Sequence, residues 1–181
     1  VSLLIAGVGL PSYYASKSVL QREWSEPQHQ RLDFGMAVID RYIAEADKLA
    51  GQGALHANVY RFLTSEQQAS YDNITGLYEF LDTLGTNAPY LESIYVYDIA
   101  RESFVSTPHG FSSRKETFPD SAWVEVADRF GDRTTLVGKR IIPEGARYAG
   151  TERITLYRQI RIGGEFKGIV ALTFKSDYLF D

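Results

Sequence analysis

The chain of 181 residues opens with an apolar segment, VSLLIAGVGL, and its first charged side chain is Lys17. As a helix, residues 1–16 would span about 24 Å, less than the roughly 30 Å hydrocarbon core of a bilayer. Tyr13 and Tyr14, followed by Lys17, are typical of the aromatic and cationic belt at a membrane surface. We therefore interpret residues 1–16 as the C-terminal end of a transmembrane helix that starts upstream, with a buried core segment or a signal-peptide core as the alternatives.

From Lys17 to about Gly51 the pattern predicts a long amphipathic helix. Its apolar residues recur at spacings of three and four and are Leu32, Met36, Ile39, Tyr42 or Ile43, Ala46 and Leu49. Pro27 follows Ser25, which forms a candidate capping box with Gln28, so the helix either kinks there or begins anew. Residues 17–63 are therefore predicted to be a stalk helix and a linker.

A second amphipathic helix is predicted from Ser65 to about Leu84. Thr64 and Gln67 form a capping box at its start. Its apolar positions are Tyr71, Ile74, Leu77, Tyr78, Leu81 and Leu84. Because such a helix needs an apolar surface to cover, we expect it to pack on the elements that follow.

From Glu92 onward the period changes to two, which indicates β-strands. On the first strand, Ile94 and Val96 fall on one face, and Tyr95 and Tyr97 on the other. The predicted strands cover residues 92–98, 104–107, 134–141, 153–162 and 166–174, with a loop over 108–119 and a short helix over 120–130. Strands joined by short turns are antiparallel. The predicted class is therefore α+β, a five-stranded antiparallel sheet with helices on one side.

The composition and motifs of the sequence argue against several functional classes. The net charge is 19 − 23 = −4 with histidine neutral, which argues against a nucleic-acid surface. The sequence has no cysteine, which excludes disulfides, thiolate metal sites and cysteine nucleophiles. His29, His56 and His109 are far apart, and no serine-hydrolase or phosphate-loop motif is present. The sequence therefore predicts neither an enzyme nor a metal or cofactor site.

Aromatic residues are frequent, with 12 Tyr, 10 Phe and 2 Trp, and they indicate a binding pocket. A small polar or sugar-like ligand needs aromatic walls and a few hydrogen-bond donors. Five arginines, Arg140 among them, fall between residues 140 and 161 and would supply the donors. The candidate wall residues are Tyr95, Tyr97 and Tyr157 on predicted strands, and Phe111, Trp123 and Tyr148 on the segments between them. The alternative is an exposed sheet face with ordinary β-propensity.

The order of these patterns, together with several stretches of sequence, resembles a known family. The stretches are SIYVYD (93–98), the short helix with Trp123, ITLYRQI (154–160) and GEFKGIVALTF (164–174), followed by Asp177-Tyr178-Leu179. They resemble the membrane-distal module of an extracytoplasmic double-Cache (PAS-like) sensor domain, as on Gram-positive sensor histidine kinases and membrane-bound AraC-type regulators. The resemblance implies that residues 64–181 form a ligand-sensing module, with the long helix and the second helix packed on its sheet and a membrane-proximal module following it.

The same resemblance implies a sensory input domain of a transmembrane receptor in the cell membrane. Such a domain binds a small molecule or a solute-binding protein, forms a homodimer in the full receptor, and transmits a conformational change along its N-terminal helix. The alternative is a membrane-anchored binding or adhesion module without a signalling role.

The amino-acid-binding branch of this family provides a further comparison. Its motif contains an arginine, then Trp-Tyr, then further tyrosines and an acidic residue. Trp123 matches the tryptophan and Tyr148 could match a later tyrosine. Ser121 and Val124 stand where Arg and Tyr are expected, and Thr173 stands at the acidic position. A ligand ammonium group would lose its charge-assisted contact there, so we expect Thr173 to face a ligand other than a free amino acid.

Overall fold

The computed structural model describes residues 37–146 and 149–180. The chain divides into two compact units, residues 1–40 and 41–181, and the architecture below is that of the second. The predicted transmembrane end, residues 1–16, and the question of Pro27 lie outside the described residues. Within the described ranges, no helix has the length and apolar character needed to cross a membrane.

In the part of the chain that the structure describes, three helices precede the sheet. They are α1 over residues 37–54, α2 over Ala57–Thr64 and α3 over Tyr71–Asn87. Ala46 and Ala50, one turn apart on α1, are fully buried. Their small side chains allow the helix to lie close to the rest of the domain.

The second predicted helix begins later than its capping box indicated. Thr64 is the last residue of α2, and Ser70 caps α3 instead, because its hydroxyl accepts a hydrogen bond from the backbone N–H of Asn73. Asn73 also donates from Nδ2 to the carbonyl of Gln67 at 2.8 Å. The segment between α2 and α3 is therefore a turn held by side-chain hydrogen bonds. The stretch that was predicted as a linker ending at residue 63 contains most of helix α2.

The sheet has six antiparallel strands where five were predicted. They are β1 Leu91–Asp98, β2 Ser103–Ser106, β3 Gly110–Ser112, β4 Thr135–Ile141, β5 Glu152–Ile162 and β6 Glu165–Phe174, in the spatial order β3-β2-β1-β6-β5-β4. The additional strand is β3, which pairs with β2 over three residues and is too short to show a period of two. The α+β class and the single antiparallel sheet are confirmed.

Gly163 and Gly164 join β5 to β6 as the predicted tight hairpin. Both have positive φ, 60° and 86°, where any other residue would be strained. The hairpin returns β6 between β5 and β1, so β6 occupies the centre of the sheet, and its residues Ile169 and Leu172 are fully buried.

Both faces of the sheet are covered. α3 packs against β1 and β2 on one face. The other face carries Tyr95, Tyr97 and Tyr157 and is covered by the loop after β3 and by a 3₁₀ helix, Ala122–Arg129. The covering layer contributes the buried residues Phe118, Trp123, Val124, Val126 and Phe130. The short helix predicted over 120–130 is thus present, and a final turn of helix, α4, covers Asp177–Phe180.

Candidate ligand-binding site

A cavity of about 310 Å³ lies between the 3₁₀ helix and strands β4 and β5. Its volume is at the small end of the roughly 300–1,000 Å³ that is typical of ligand sites. Asp120, Trp123, Arg140 and Tyr157 border the cavity with largely buried side chains. The arrangement is that of a small concave site at one side of the aromatic layer.

An ion pair between Asp120 and Arg140 is the main polar feature of this cavity. Arg140 Nη1 donates to Asp120 Oδ1 at 2.5 Å, and the two side chains are 11% and 0% exposed. Arg140 also donates from Nε to Thr155 Oγ1 at 3.0 Å and from Nη2 to Thr173 Oγ1 at 3.2 Å. The guanidinium is therefore held by β5, by β6 and by the residues just before the 3₁₀ helix.

Two buried polar atoms beside the cavity have no hydrogen-bond partner among the described residues. They are Asp120 Oδ2 and Trp123 Nε1. An unpaired buried donor or acceptor costs about 1–3 kcal/mol, and more for a charged group, so such atoms are rare in native proteins. The carboxylate oxygen accepts and the indole N–H donates. A molecule that brings one donor and one acceptor into the cavity would satisfy both.

Trp123 is the centre of the aromatic wall. Its ring centroid lies 5.7 Å from that of Tyr157, 5.8 Å from that of Tyr95 and 6.2 Å from that of Tyr97. Arg140 Cζ lies 5.6 Å from the centroid of the Tyr95 ring, within range of a cation–π interaction. Of these rings, Trp123 and Tyr157 border the cavity, and the others support them from behind.

The ionisation of these groups follows from their burial. Burial raises the pKa of the Tyr95 phenol, and the negative charge of Asp120 raises it further. Burial also raises the pKa of Tyr157, against the opposing charge of Arg140. Burial alone would lower the pKa of Arg140, but the hydrogen bond and charge of Asp120 outweigh it, and the pKa is raised. At neutral pH the site therefore holds a charged guanidinium and neutral phenols.

Most of the predicted site residues meet on this face of the sheet. The residues brought together are Tyr95, Tyr97, Trp123, Arg140, Tyr157 and Thr173. Whether they bind a ligand stays a prediction. Trp123, Arg140 and Tyr157 border the cavity, whereas Tyr95 and Tyr97 belong to the packed aromatic layer.

Phe111 and Tyr148 are not among them. Phe111 lies on β3, and its ring packs against that of Phe62 in α2, with centroids 6.5 Å apart. Alternation along the unpredicted strand turns this side chain to the helix-covered face. Tyr148 lies outside the described residues.

Asp120 is the residue that sequence reasoning missed. Its partner Arg140 is 20 positions away along the chain, so no local spacing connects them. The available signal was an acidic residue directly after Pro119 and three residues before Trp123, in an otherwise aromatic segment. Thr155 accepts a hydrogen bond from Arg140, but no feature of the sequence distinguished it from the other residues of its strand.

The rim of the cavity is charged. Glu125, Arg129 and Lys139 are exposed there, and Lys139 pairs with Glu152 at 3.4 Å. In residues 37–146 and 149–180, no three His, Asp or Glu side chains come together as candidate metal ligands. The described groups offer hydrogen bonds and aromatic contacts, which suit binding.

No family model matches the chain, and no curated protein matches it. Solved structures do match, and they are sensor and ligand-binding domains of bacterial receptors. The chain therefore has the α+β fold of these sensor domains, and the resemblance noted in the sequence is confirmed at the level of the fold.

Three particular structures illustrate the match. The extracellular domain of vpHK1S-Z8, described as a histidine kinase, aligns with a TM-score of 0.62 and 13% identity over 88% of this chain and 61% of its own. The ligand-binding domain of the Campylobacter jejuni chemoreceptor Tlp3 in complex with L-valine gives 0.59 and 12% over 90% and 64%. The sensor domain of the V. cholerae histidine kinase DctB gives 0.55 and 15% over 84% and 59%. The chain thus spans about three fifths of the length of these domains.

Proposed function

We propose that the chain is the sensory input domain of a transmembrane receptor and that it binds a small molecule in the cavity beside Trp123. The fold supports this proposal, since its structural neighbours are sensor domains of histidine kinases and of a chemoreceptor. The observation that carries it is a pair of buried atoms without a hydrogen-bond partner in residues 37–146 and 149–180, Asp120 Oδ2 and Trp123 Nε1, at a cavity of ligand size. The Tyr95 phenol lies beside the Asp120 carboxylate, but Asp120 Oδ2 has no hydrogen bond of good geometry among the described residues, and a bound ligand would supply a donor to it.

The ligand that suits the site best is neutral and rich in hydroxyl groups, such as a mono- or disaccharide. Asp120 and Arg140 compensate each other's charge, so a charged ligand finds no uncompensated partner among the buried groups. A hydroxyl both donates and accepts, and it can therefore serve Asp120 Oδ2 and Trp123 Nε1 alike. The rings of Trp123 and Tyr157 offer apolar surface to the C–H face of a sugar.

A free amino acid suits the site less well. The Tlp3 domain has been solved with L-valine, but here Asp120 and Arg140 already compensate each other, so the carboxylate of an amino acid finds no free positive charge among the described buried groups. Thr173 offers no charge to an ammonium group, and its hydroxyl already accepts a hydrogen bond from Arg140. The charges of this site therefore favour a neutral ligand.

Signalling is proposed to follow from a shift in population. A ligand that binds one packing of the sheet and α1 better than another favours that packing, and a ligand without such a preference transmits nothing. In the full receptor we propose a homodimer, held in the cell membrane by its N-terminal segment, with a histidine kinase or an AraC-type regulator as output. If the domain does not bind a small molecule directly, we propose a solute-binding protein as its partner.

Carbohydrate binding is tested by a thermal-shift screen with mono- and disaccharides, followed by calorimetry on the best of them. We expect Trp123→Phe to weaken binding of that sugar by about tenfold, because loss of one hydrogen bond costs about 1 kcal/mol or slightly more. Tyr60→Phe is the matched control, since Tyr60 is 55% exposed on α2. It should bind the sugar as the parent chain does.

Two outcomes would contradict parts of the proposal. Binding of amino acids or amines but of no carbohydrate would contradict the ligand class and leave the sensory role intact. If no small molecule binds and water alone occupies the cavity, this result would contradict the small-molecule site. It would favour a protein partner or an adhesion module.

A further inference from the structure

Asp47 connects α1 to the two strands that border the cavity. Its Oδ1 accepts hydrogen bonds from Arg158 Nη1 at 2.6 Å and from Thr135 Oγ1 at 2.7 Å. Arg158 lies on β5 and Thr135 directly opposite it on β4, with Arg158 Nη1 3.4 Å from Thr135 Oγ1. One carboxylate oxygen therefore joins the helix to both strands. We name Asp47, Thr135 and Arg158 the α1 tether.

The α1 tether lies directly behind the wall of the cavity. Side chains alternate between the two faces of a strand, so Tyr157 borders the cavity while the next residue, Arg158, reaches α1. Tyr157 is paired across the sheet with Leu136, and Arg158 with Thr135. A ligand that displaces β4 and β5 must carry Arg158 and Thr135 with them, because the backbone joins each to its neighbour.

The helix provides room for the guanidinium. Gly51 follows Asp47 by one turn, on the same face of α1. A Cβ at Gly51 would lie 3.3 Å from Arg158 Cζ, closer than ordinary contact. Glycine weakens a helix relative to alanine, and the close approach of Arg158 accounts for its presence here.

The exposure of the α1 tether suits a contact that opens and closes. The side chains of Arg158 and Asp47 are 28% and 43% exposed, so water competes for both and the pair adds little to static stability. The buried pair of Asp120 and Arg140 is different, because breaking it would strand a charge. Of these two ion pairs, the half-exposed one is the one that the modest coupling free energy of a ligand can shift.

We infer that the α1 tether couples the cavity to α1. Occupancy of the cavity changes the population of the closed tether, and closure of the tether changes the affinity of the cavity by the same factor. The inference rests on the proposed function of the cavity as a ligand site. Asp47 is a positioning residue, since it lies on the opposite side of the sheet from the cavity.

Fluorescence of Trp123 tests this coupling in the absence of a ligand. The chain has 2 Trp, so in a Trp24→Phe background acrylamide quenching reports on Trp123 alone. We expect Asp47→Ala to raise the quenching constant about twofold or more, because opening the tether loosens the strands behind Trp123. Lys48→Ala, at the adjacent exposed position of the same helix, is the matched control and leaves the constant unchanged.

Thr135→Val is the second variant, because it removes one of the two donors to Asp47 and keeps the volume of the side chain. It should change quenching in the same direction and by less. Unchanged quenching in both folded variants overturns the coupling, even where a sugar binds. Changed quenching without any sugar binding supports the coupling and contradicts the ligand class alone. For a sugar found by the screen, Asp47→Ala should also alter its Kd, whereas Lys48→Ala should not.

Discussion

The buried pair of Asp120 and Arg140 shows how single residues define this site. With exposures of 0% and 11%, the two side chains are paired with each other in place of water, and Arg140 also donates to the hydroxyls of Thr155 and Thr173. Such a pair adds little net stability relative to apolar residues, but removal of one partner leaves the other charge buried. Its position beside a cavity is therefore better explained by binding than by folding.

Asp120→Asn should lower the free energy of unfolding by about 3 kcal/mol, because it leaves the Arg140 charge uncompensated in a buried position. Urea denaturation measures this change. The matched control is Lys139→Gln on the same strand, which breaks an ion pair whose side chains are 64% and 62% exposed. Equal losses in the two variants would contradict the special role of the buried pair.

Tyr95 makes stability depend on pH in the alkaline range. Its pKa is raised by burial and by Asp120, from an ordinary value of 10.0. The folded state therefore holds this proton more tightly than the unfolded state, so stability is unaffected below pH 10 and falls as the pH rises above it. Tyr95→Phe should remove up to about 1.4 kcal/mol per pH unit from the slope of unfolding free energy against pH above 10. An unchanged alkaline slope in that variant would contradict the assignment.

At the scale of elements, the close packing of α2 on the sheet depends on Gly168 in β6. A Cβ there would collide with the carbonyl oxygen of Tyr97 in β1 and would lie 3.1 Å from Leu63 Cδ2 in α2. Gly168 is paired with Asp98 on one side and with Ile160 on the other, so no neighbouring strand can give way easily.

Gly168→Ala should therefore destabilise the domain by about 1–3 kcal/mol, the cost of overpacking a core. Gly138→Ala is the control on β4, where a Cβ meets no atom within 4 Å. That variant should be neutral or slightly stabilising, because it restricts the unfolded chain. Thermal unfolding of both variants checks the contrast, and a neutral Gly168→Ala would show that the strands separate more readily than their register indicates.

The elements also show where sequence patterns were sufficient. Strands β1, β5 and β6 are long enough for the period of two to show, and their predicted bounds are correct to within a residue or two. β3 has three residues and takes its conformation from pairing with β2, which no local pattern records. The start of α3 was misplaced because two polar residues, Thr64 and Ser70, could each cap a helix, and the choice depends on the tertiary contacts of the turn between them.

For the whole molecule, sequence reasoning found the fold, the aromatic face and Arg140, but not Asp120, which pairs with Arg140. Tyr95, Tyr97 and Tyr157 share a face because strand alternation places them there, whatever the rest of the chain does. Asp120 meets Arg140 because the loop after β3 crosses the sheet to β4, and the route of a loop is set by packing. Phe111 lies away from the cavity for a similar reason, since the face on which a short strand presents a side chain is also set by packing.

The adjacency of strands β1 and β6 brings the start and the end of the sheet-forming segment close together. Leu91, which begins the sheet, is paired with Phe174, which ends it, and the N–H of Lys175 donates to the carbonyl of Tyr90 at 3.0 Å. The backbone thus leaves the sheet beside the point where it arrived. Tyr42 of α1 and Tyr178 of α4 are also close, with ring centroids 6.0 Å apart. Residues 42–178, which include the helices, could accordingly be grafted into a surface loop of an unrelated carrier protein without forcing the two sides of that loop apart.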